Sequence, residues 1–426
     1  MKEKLFVRIY KVGCGDCIFV RVPDKDRPYH MLIDCGNYYG ESSADLKQAM
    51  DNVKVLLNDE TVVPKNHRGH LDLLVATHQH WDHIKGFESS LEVFKTIKID
   101  RVWLSVGMKK DHPQGRQLRA FQDQVDKTIK RFESDPELSL NPGLLSMLMM
   151  MSLSNQQATE ALTNTLPSQQ GIQPSYVYRG FEKDLPKEKA QRATLDFKEP
   201  KTKLFVLAPE KEIDKSYVGN AFSLLQNLDE GEKEIYNLVP ETQRLDLPPN
   251  ISKRDFRQLK TQLKYTSLFA AAQSNHVVNN TSVVLLLEWK GRRLIFPGDA
   301  EQESWSLMWK NARSKLIKPI DFLKISHHGS WTGTPYDLND PKRAINSILE
   351  SILPEENASI AQAVVSTEAD VIKAGSHPVP YPGLMNEIAR RVKNTNEYPP
   401  ETGRQPQRTD KEQGNWVDIK IEPKTS

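Results

Sequence analysis

Apolar and polar positions alternate from the first segment of the chain, with Leu5, Val7 and Ile9 set against Phe6, Arg8 and Tyr10. That period of two is what a strand with one face on a core requires. Cys17 to Val22 and Met31 to Ile33 continue it. Leu71 to Ala76 (LDLLVA) is a short apolar run of buried-strand type and opens directly into a cluster of histidines. A helix is expected from about Asp82, with Leu91, Phe94 and Ile97 on one side, followed by a strand at Arg101 to Leu104.

From about Gly107 the texture changes to polar helical segments broken by turns at Pro142, Pro167 and Pro174. Residues 107–200 therefore read as a helical insertion, 201–210 as a returning strand around Leu204 to Leu207, and 211–272 as a second insertion. Strand patterns resume at Ser282 to Leu287, Arg292 to Phe296, Phe322 to Ser326 and Ala363 to Val365. Residues 1–106 and 273–395 then form two halves of one domain. The remainder, 396–426, reads as a Pro-, Thr- and Gln-rich linker whose last segment, Trp416 to Ile421, alternates again and could add an edge strand.

The 426 residues, 38% hydrophobic and 27% charged, are enough for a sizeable core. With 58 Lys+Arg against 56 Asp+Glu the formal net charge is only +2, so any contact with a polyanion must come from a local patch. Three cysteines, Cys14, Cys17 and Cys35, are too few for a disulfide framework. The start MKEKLFVRIY has no continuous apolar core of the length a secretion signal needs, and the greasiest stretch, Leu144 to Met151, is far below the ~18 residues of a membrane span. The expectation is a soluble cytoplasmic chain with no membrane partner.

Candidate chemistry concentrates in Thr77 to Gly86, THQHWDHIKG, which puts three imidazoles and a carboxylate within six residues at the end of a buried strand. In an extended stretch, side chains two apart point the same way, so His78 and His80 can converge on one ion. The turn that follows can aim Asp82 and His83 at a second. Imidazole and carboxylate suit one or two divalent ions such as Zn2+ or Mn2+. The plainer alternative is a polar loop whose histidines cap strand and helix ends. Further on, FPGDAE ends a strand with Gly298 and Asp299, and LKISHHGS ends another with His327 and His328.

The order HxHxDH, then Gly-Asp, then a strand-terminal His resembles the metallo-β-lactamase superfamily. VGCGDCIFV (Val12 to Val20), LIDCG (Leu32 to Gly36), THQHWDHIKG, NNTSVVLLL (Asn279 to Leu287), FPGDAE and LKISHHGS together are similar to the hydrolase domain of ComEC-type DNA-uptake competence proteins. GSHPVPYPG, from Gly375, resembles a later His-Pro element of that subfamily. The resemblance covers roughly residues 5–105 and 203–393. It implies an α/β fold, the metallo-β-lactamase αββα sandwich, with two mixed sheets face to face, helices outside and helical insertions. It implies metal ligation by His78, His80, Asp82, His83, Asp299 and His327. Asp82 and Asp299 would orient or bridge a water brought towards a pKa of ~7, and His328 or His377 would protonate the leaving oxygen. Asp16 and Asp34 fall on matching positions and are expected behind the ligands, accepting their far N–H groups.

Two departures matter. The competence proteins carry this domain beside a membrane channel, and no spanning segment is visible here, so DNA import is not implied. Superfamily enzymes commonly supply a third histidine just before the strand that begins near Ser282, where this chain has Asn279, Asn280 and Ser282. Asn280 and Ser282 are expected beside the ligands, and His276 is the nearby alternative for completing the first site. Cys14 and Cys17 form CGDC, read as structural because no second pair exists. Lys253, Arg257, Lys260 and Lys264 lie at helical spacing opposite Phe256, Leu259 and Leu263, a basic stripe that is either a solvated face or a track for DNA or RNA phosphates.

Three functions fit these residues: a metal-dependent phosphodiesterase or nuclease, a hydrolase of a small ester, lactone or phosphorylated metabolite, and a binding protein with a degenerate metal site.

Overall fold

The computed structural model describes residues 4–38, 42–119, 123, 155–218, 275–340, 342–367, 379–393, 395–397, 404–408 and 414–424. The chain is mixed α/β and divides into two units, residues 1–109 with 154–211 and 279–426, and residues 110–153 with 212–278.

The first unit is built on strands β1 (Leu5–Tyr10), β2 (Cys17–Val22), β3 (Tyr29–Cys35), β4 (His70–Leu71), β5 (Leu73–Ala76), β6 (Lys98–Ile99), β7 (Val102–Ser105) and β8 (Ser175–Val177). It continues through β9 (Lys203–Ala208), β10 (Val284–Trp289), β11 (Arg292–Phe296), β12 (Phe322–Lys324), β13 (Gln362–Val365), β14 (Thr395–Glu397), β15 (Arg404–Arg408) and β16 (Trp416–Ile421). One seven-stranded sheet has the order β16-β1-β2-β3-β5-β7-β8, the other β14-β15-β13-β12-β11-β10-β9, and β4 pairs with β6. Both large sheets are mixed: β3, β5, β7 and β8 run parallel, as do β11, β12, β13 and β15.

Val7, Ile9, Val20, Ile33 and Val75 of the first sheet share one apolar core with Leu285, Leu287, Leu294, Phe296 and Val364 of the second. Intervening residues point outward. Phe19, Leu32, Leu74 and Ala76 pack with Leu46, Met50 and Val53 of helix α1 (Ala44–Leu57) and with Ile84 and Phe87 of α2 (Trp81–Ser89). On the other sheet Leu286, Ile295, Leu323 and Val365 meet Trp305, Leu349 and Ile388 from three further helices. Strands covered on both faces need near-continuous apolar sequence, which is why LDLLVA and VVLLLEW do not alternate.

Several boundaries differ from the sequence reading. Helix α2 stops at Ser89, so Leu91 and Phe94 belong to a separate single turn and Ile97 to the bend after it. Residues 154–211 cluster with the first unit, because Ser175–Val177 is a strand on β7. Three residues carry too little periodicity to reveal it. Linker-like Thr395–Glu397 and Arg404–Arg408 extend the second sheet beyond β13. Backbone hydrogen bonds there need no apolar pattern.

Trp416–Ile421 does form an edge strand, antiparallel to β1 from Leu5 opposite Ile421 to Tyr10 opposite Trp416. Arg8 clamps it, 2.7 Å from Asp418 and 4.1 Å above the Trp416 ring. In the second unit, Asp214 accepts hydrogen bonds from the backbone N–H groups of Gln117 and Leu118, both at 3.2 Å. No described helix is long and apolar enough to cross a membrane.

Candidate metal centre

The carboxyl ends of β3, β5, β11, β12 and β13 lie at one end of the two sheets, where open α/β sheets place their ligands. β2 and β10 run antiparallel to their neighbours, so Asp16, before β2, and Ser282, before β10, come to the same end. Thr77 joins the sheets: its carbonyl accepts from Val283 N at 3.0 Å and its side chain abuts Gly298.

After Ala76 the chain leaves the strand and bends at Gln79 before His80, whose carbonyl accepts from the N–H groups of His83 and Ile84 at 3.1 Å and starts α2. This puts Asp82 in the first turn, where the helix dipole favours a carboxylate. Gly36 allows that turn to seat on β3, since a Cβ there would lie 2.6 Å from the Asp82 carbonyl oxygen. Asp16 N donates to the same oxygen at 2.9 Å.

Four side chains from three chain segments converge. Ligand atoms of Asp82, His83, Asp299 and His328 all lie within 4.8 Å of one another. Bonds of about 2.0–2.2 Å to one ion can gather such a set. His83 Nε2 is 3.1 Å from Asp299 Oδ2 and 3.9 Å from Asp82 Oδ2, and His328 Nε2 is 3.0 Å from Asp82 Oδ2 and 3.7 Å from Asp299 Oδ2. Among the described residues, buried His83 Nε2 and Asp299 Oδ1 have no hydrogen-bond partner. A ring nitrogen and a carboxylate oxygen left without hydrogen bonds beside Asp82 and Asp299 are what a divalent cation would satisfy, so the residues present fit one.

The far side of each ring is fixed. His83 Nδ1 donates to Asp34 Oδ2 at 2.7 Å, and Asp34 also accepts from Thr77 N at 2.7 Å and Thr77 Oγ1 at 2.6 Å. His328 Nδ1 donates to the Ser366 carbonyl at 2.8 Å. Both protons therefore sit on Nδ1, and both Nε2 atoms face inward. Asp34, His327 and His328 have φ of 57°, 48° and 50°, left-handed values costing an L-residue roughly 1–2 kcal/mol each. Such strain concentrates at functional sites.

Charge distribution follows from burial. For His83, burial alone would depress the pKa, but the carboxylates of Asp299, Asp82 and Asp34 outweigh it and hold it well above the usual value. The same contest, with Asp299 and Asp82 prevailing over burial, raises that of His328. Burial would raise Asp82 and Asp299, yet the surrounding imidazoles pull both down, Asp299 well below the ordinary range. His78 is driven well down, and His80 down to about 4, chiefly by burial.

His78 and His80 lie beside the four rather than among them. His78 Nε2 is 2.9 Å from His80 Nδ1 and 3.9 Å from Asp299 Oδ2, and its Nδ1 contacts Thr77 Oγ1 at 3.2 Å and Ser282 Oγ at 3.3 Å. Ser282 also accepts from Asp299 N at 3.2 Å. Asn280 is elsewhere engaged: its Oδ1 accepts from Glu301 N and Ser304 N, capping the helix Gln302–Asn311.

The two histidines of the HH pair exchange expected places. His327, expected as a ligand, stands 4.0 Å from Asp299 with its Nδ1 held by Ser330 Oγ at 2.8 Å and Glu301 Oε1 at 3.2 Å, and its side chain is 22% exposed. His328, expected as proton donor, is buried in the cluster. The left-handed backbone at both residues turns the first ring outward and the second inward.

Asp34 lies behind the His83 ring and accepts its Nδ1 proton. Asp16 serves differently: it pairs with buried Lys324 at 2.8 Å and accepts from Ser366 Oγ. Sequence reasoning gave Lys324, Ser366 and Glu301 no role, though Glu301 stood in the quoted FPGDAE. His276 belongs to the second unit and to neither ligand group. His377, Lys253, Arg257, Lys260 and Lys264 lie outside the described residues.

No protein-family model matches the chain, and neither does any curated protein.

Proposed function

We propose that the chain is a metal-dependent hydrolase of the metallo-β-lactamase fold, acting on phosphodiester bonds of DNA or RNA with an activated water. The observation that carries the reading is the convergence of Asp82, His83, Asp299 and His328 on one point with both Nε2 atoms turned inward. Two face-to-face mixed sheets with helices outside agree with the αββα sandwich that the motif set resembles. The phosphodiester part rests on that resemblance.

These four residues would hold a divalent ion, with His78 and His80 positioned to take a second or to bind the attacking water. The chemistry such an ion supplies is Lewis-acidic, making hydroxide available near neutral pH and offsetting charge at phosphorus. Asp34 and the Ser366 carbonyl keep the two ligand rings in one tautomer. Asp299 Oδ2, within 4.0 Å of His78, His83, His327 and His328, would orient the water. His327, partly exposed and backed by Glu301, is the ring that would pass a proton to the leaving oxygen.

The test is elemental analysis of the purified protein, joined to assays of a bis-aryl phosphate, single- and double-stranded nucleic acid and a lactone. The expected outcome is bound transition metal with nuclease activity, both lost in Asp82→Ala. Metal-replete protein that opens only the lactone overturns the phosphodiester assignment, and protein that takes up no metal overturns the hydrolase.

A further inference from the structure

At the opposite end of the second sheet from the histidines lies a groove of about 660 Å3. Its wall carries six cations, Lys201, Lys203, Arg292, Arg293, Lys318 and Lys424, against one acid, Glu288. The chain's net charge of +2 gives no reason for such a local excess.

The two arginines form a structural floor. Arg293, buried, binds the backbone carbonyls of Lys315, Lys318 and Pro319, and Arg292 pairs with Asp321 at 2.7 Å. The lysines form the open rim. Lys201, Lys203, Lys318 and Lys424 are exposed, and among the described residues the first three have no ion pair while Lys424 reaches Asp321 only at 3.9 Å. Neighbouring Lys315 has its pKa lowered, first by burial and then by the positive charges of Arg293, Lys203 and Lys318, although Glu288 opposes them. The cations crowd one another without a matching set of acids.

Their placement follows the sheet. Lys201 and Lys203 lead into β9, Glu288 and Arg293 flank the β10–β11 turn, Lys318 precedes β12 and Asn357 precedes β13. Those strands are consecutive neighbours, so the cations, from β9 to β12, span three inter-strand spacings, about 14 Å at ~4.8 Å each, and Asn357 continues the line to β13. A single phosphate needs only one point of that line. A strand with a charge every ~3.4 Å along its axis uses all of it. Flexible ammonium groups, rather than free guanidinium forks, suit a backbone read by charge alone.

We infer that this groove docks the sugar–phosphate backbone of a nucleic acid at a distance from the metal centre, without sequence preference. The choice of nucleic acid as the polyanion rests on the nuclease reading; the groove itself does not. Such a surface would hold a substrate's flanking segment and lower KM for long strands while leaving the cleavage step untouched.

The experiment uses the full chain in EDTA, with a fluorescently labelled single-stranded oligonucleotide followed by anisotropy across a salt series. Wild type should bind, and the double variant Lys203→Glu/Lys318→Glu should bind at least tenfold more weakly. The slope of log affinity against log salt should fall by about 1.4, the value for two lost phosphate contacts at ~0.7 each. Lys47→Glu, an exposed control on α1, should behave as wild type. Unchanged affinity and slope in the double variant overturn the inference, as does an oligonucleotide that fails to bind while tripolyphosphate does. Binding that depends on these lysines, in a protein that never cleaves with added Mn2+, sinks the nuclease reading and leaves the docking surface standing.

Discussion

Replacing Lys324 by Met strands the Asp16 carboxylate in the interior beside the His/Asp cluster. Both side chains are 1% exposed, and the ammonium lies 2.8 Å from one carboxylate oxygen and 2.9 Å from the other. Removing one member of such a pair leaves an uncompensated buried charge and costs about 3–5 kcal/mol. The Ser366 hydroxyl remains on Asp16 and recovers part of that, so the lower end, about 3 kcal/mol, is expected for Lys324→Met. Adding Asp16→Asn removes the orphaned charge. The double variant should then be no less stable than Lys324→Met, with a coupling energy of at least about 2 kcal/mol. All seven tryptophans lie in the first unit, so urea unfolding followed by tryptophan fluorescence reports on the unit that contains the pair. Additive single effects, or a Lys324→Met variant within about 1 kcal/mol of wild type, would refute the view that the pair is a closed electrostatic unit.

Two further outcomes are expected. Gly36→Ala must push the Asp82 turn by about 1 Å to restore ordinary contact, at a cost of about 1–3 kcal/mol, and calorimetric metal affinity should drop at least tenfold; unchanged affinity would show that this turn does not set the site. Buried His30 is held neutral, its pKa pushed down to about 4 chiefly by burial, so the unfolded chain binds the extra proton between pH 6.5 and 4. Its contribution is intact above pH 6.5 and declines by up to about 3 kcal/mol as pH falls to 4. His30→Gln should flatten the stability profile across that window, whereas a profile parallel to wild type would refute the assignment.

What could be read beforehand was whatever the chain encodes locally. Thr77 to Gly86 carries its own strand end, turn and helix start, so the clustering of His78, His80, Asp82 and His83 follows from consecutive residues. Asp299 and the HH pair were legible as strand-end polar residues but not in their division of labour. Which ring enters the cluster depends on two left-handed φ values that residue type does not announce. Lys324 was hidden for another reason: it ends an apolar strand, and its partner is 308 positions away. Likewise β14 and β15 sit in polar, Pro-containing text where only backbone pairing, β15 to β13 and β14 to β15, defines the strands.

The pairing of β1 with β16 bears on how the molecule is made. Leu5–Tyr10 leaves the ribosome well before Trp416–Ile421, and its outer hydrogen-bonding edge waits for that strand, roughly four hundred residues later. At translation speeds of about 5–20 residues per second, that edge is uncovered for some 20–80 s. An unpaired strand is a template for strands of other nascent chains. Arg8, which later clamps Asp418, meanwhile places a charge on this vulnerable border and discourages such mispairing until its own closing strand arrives.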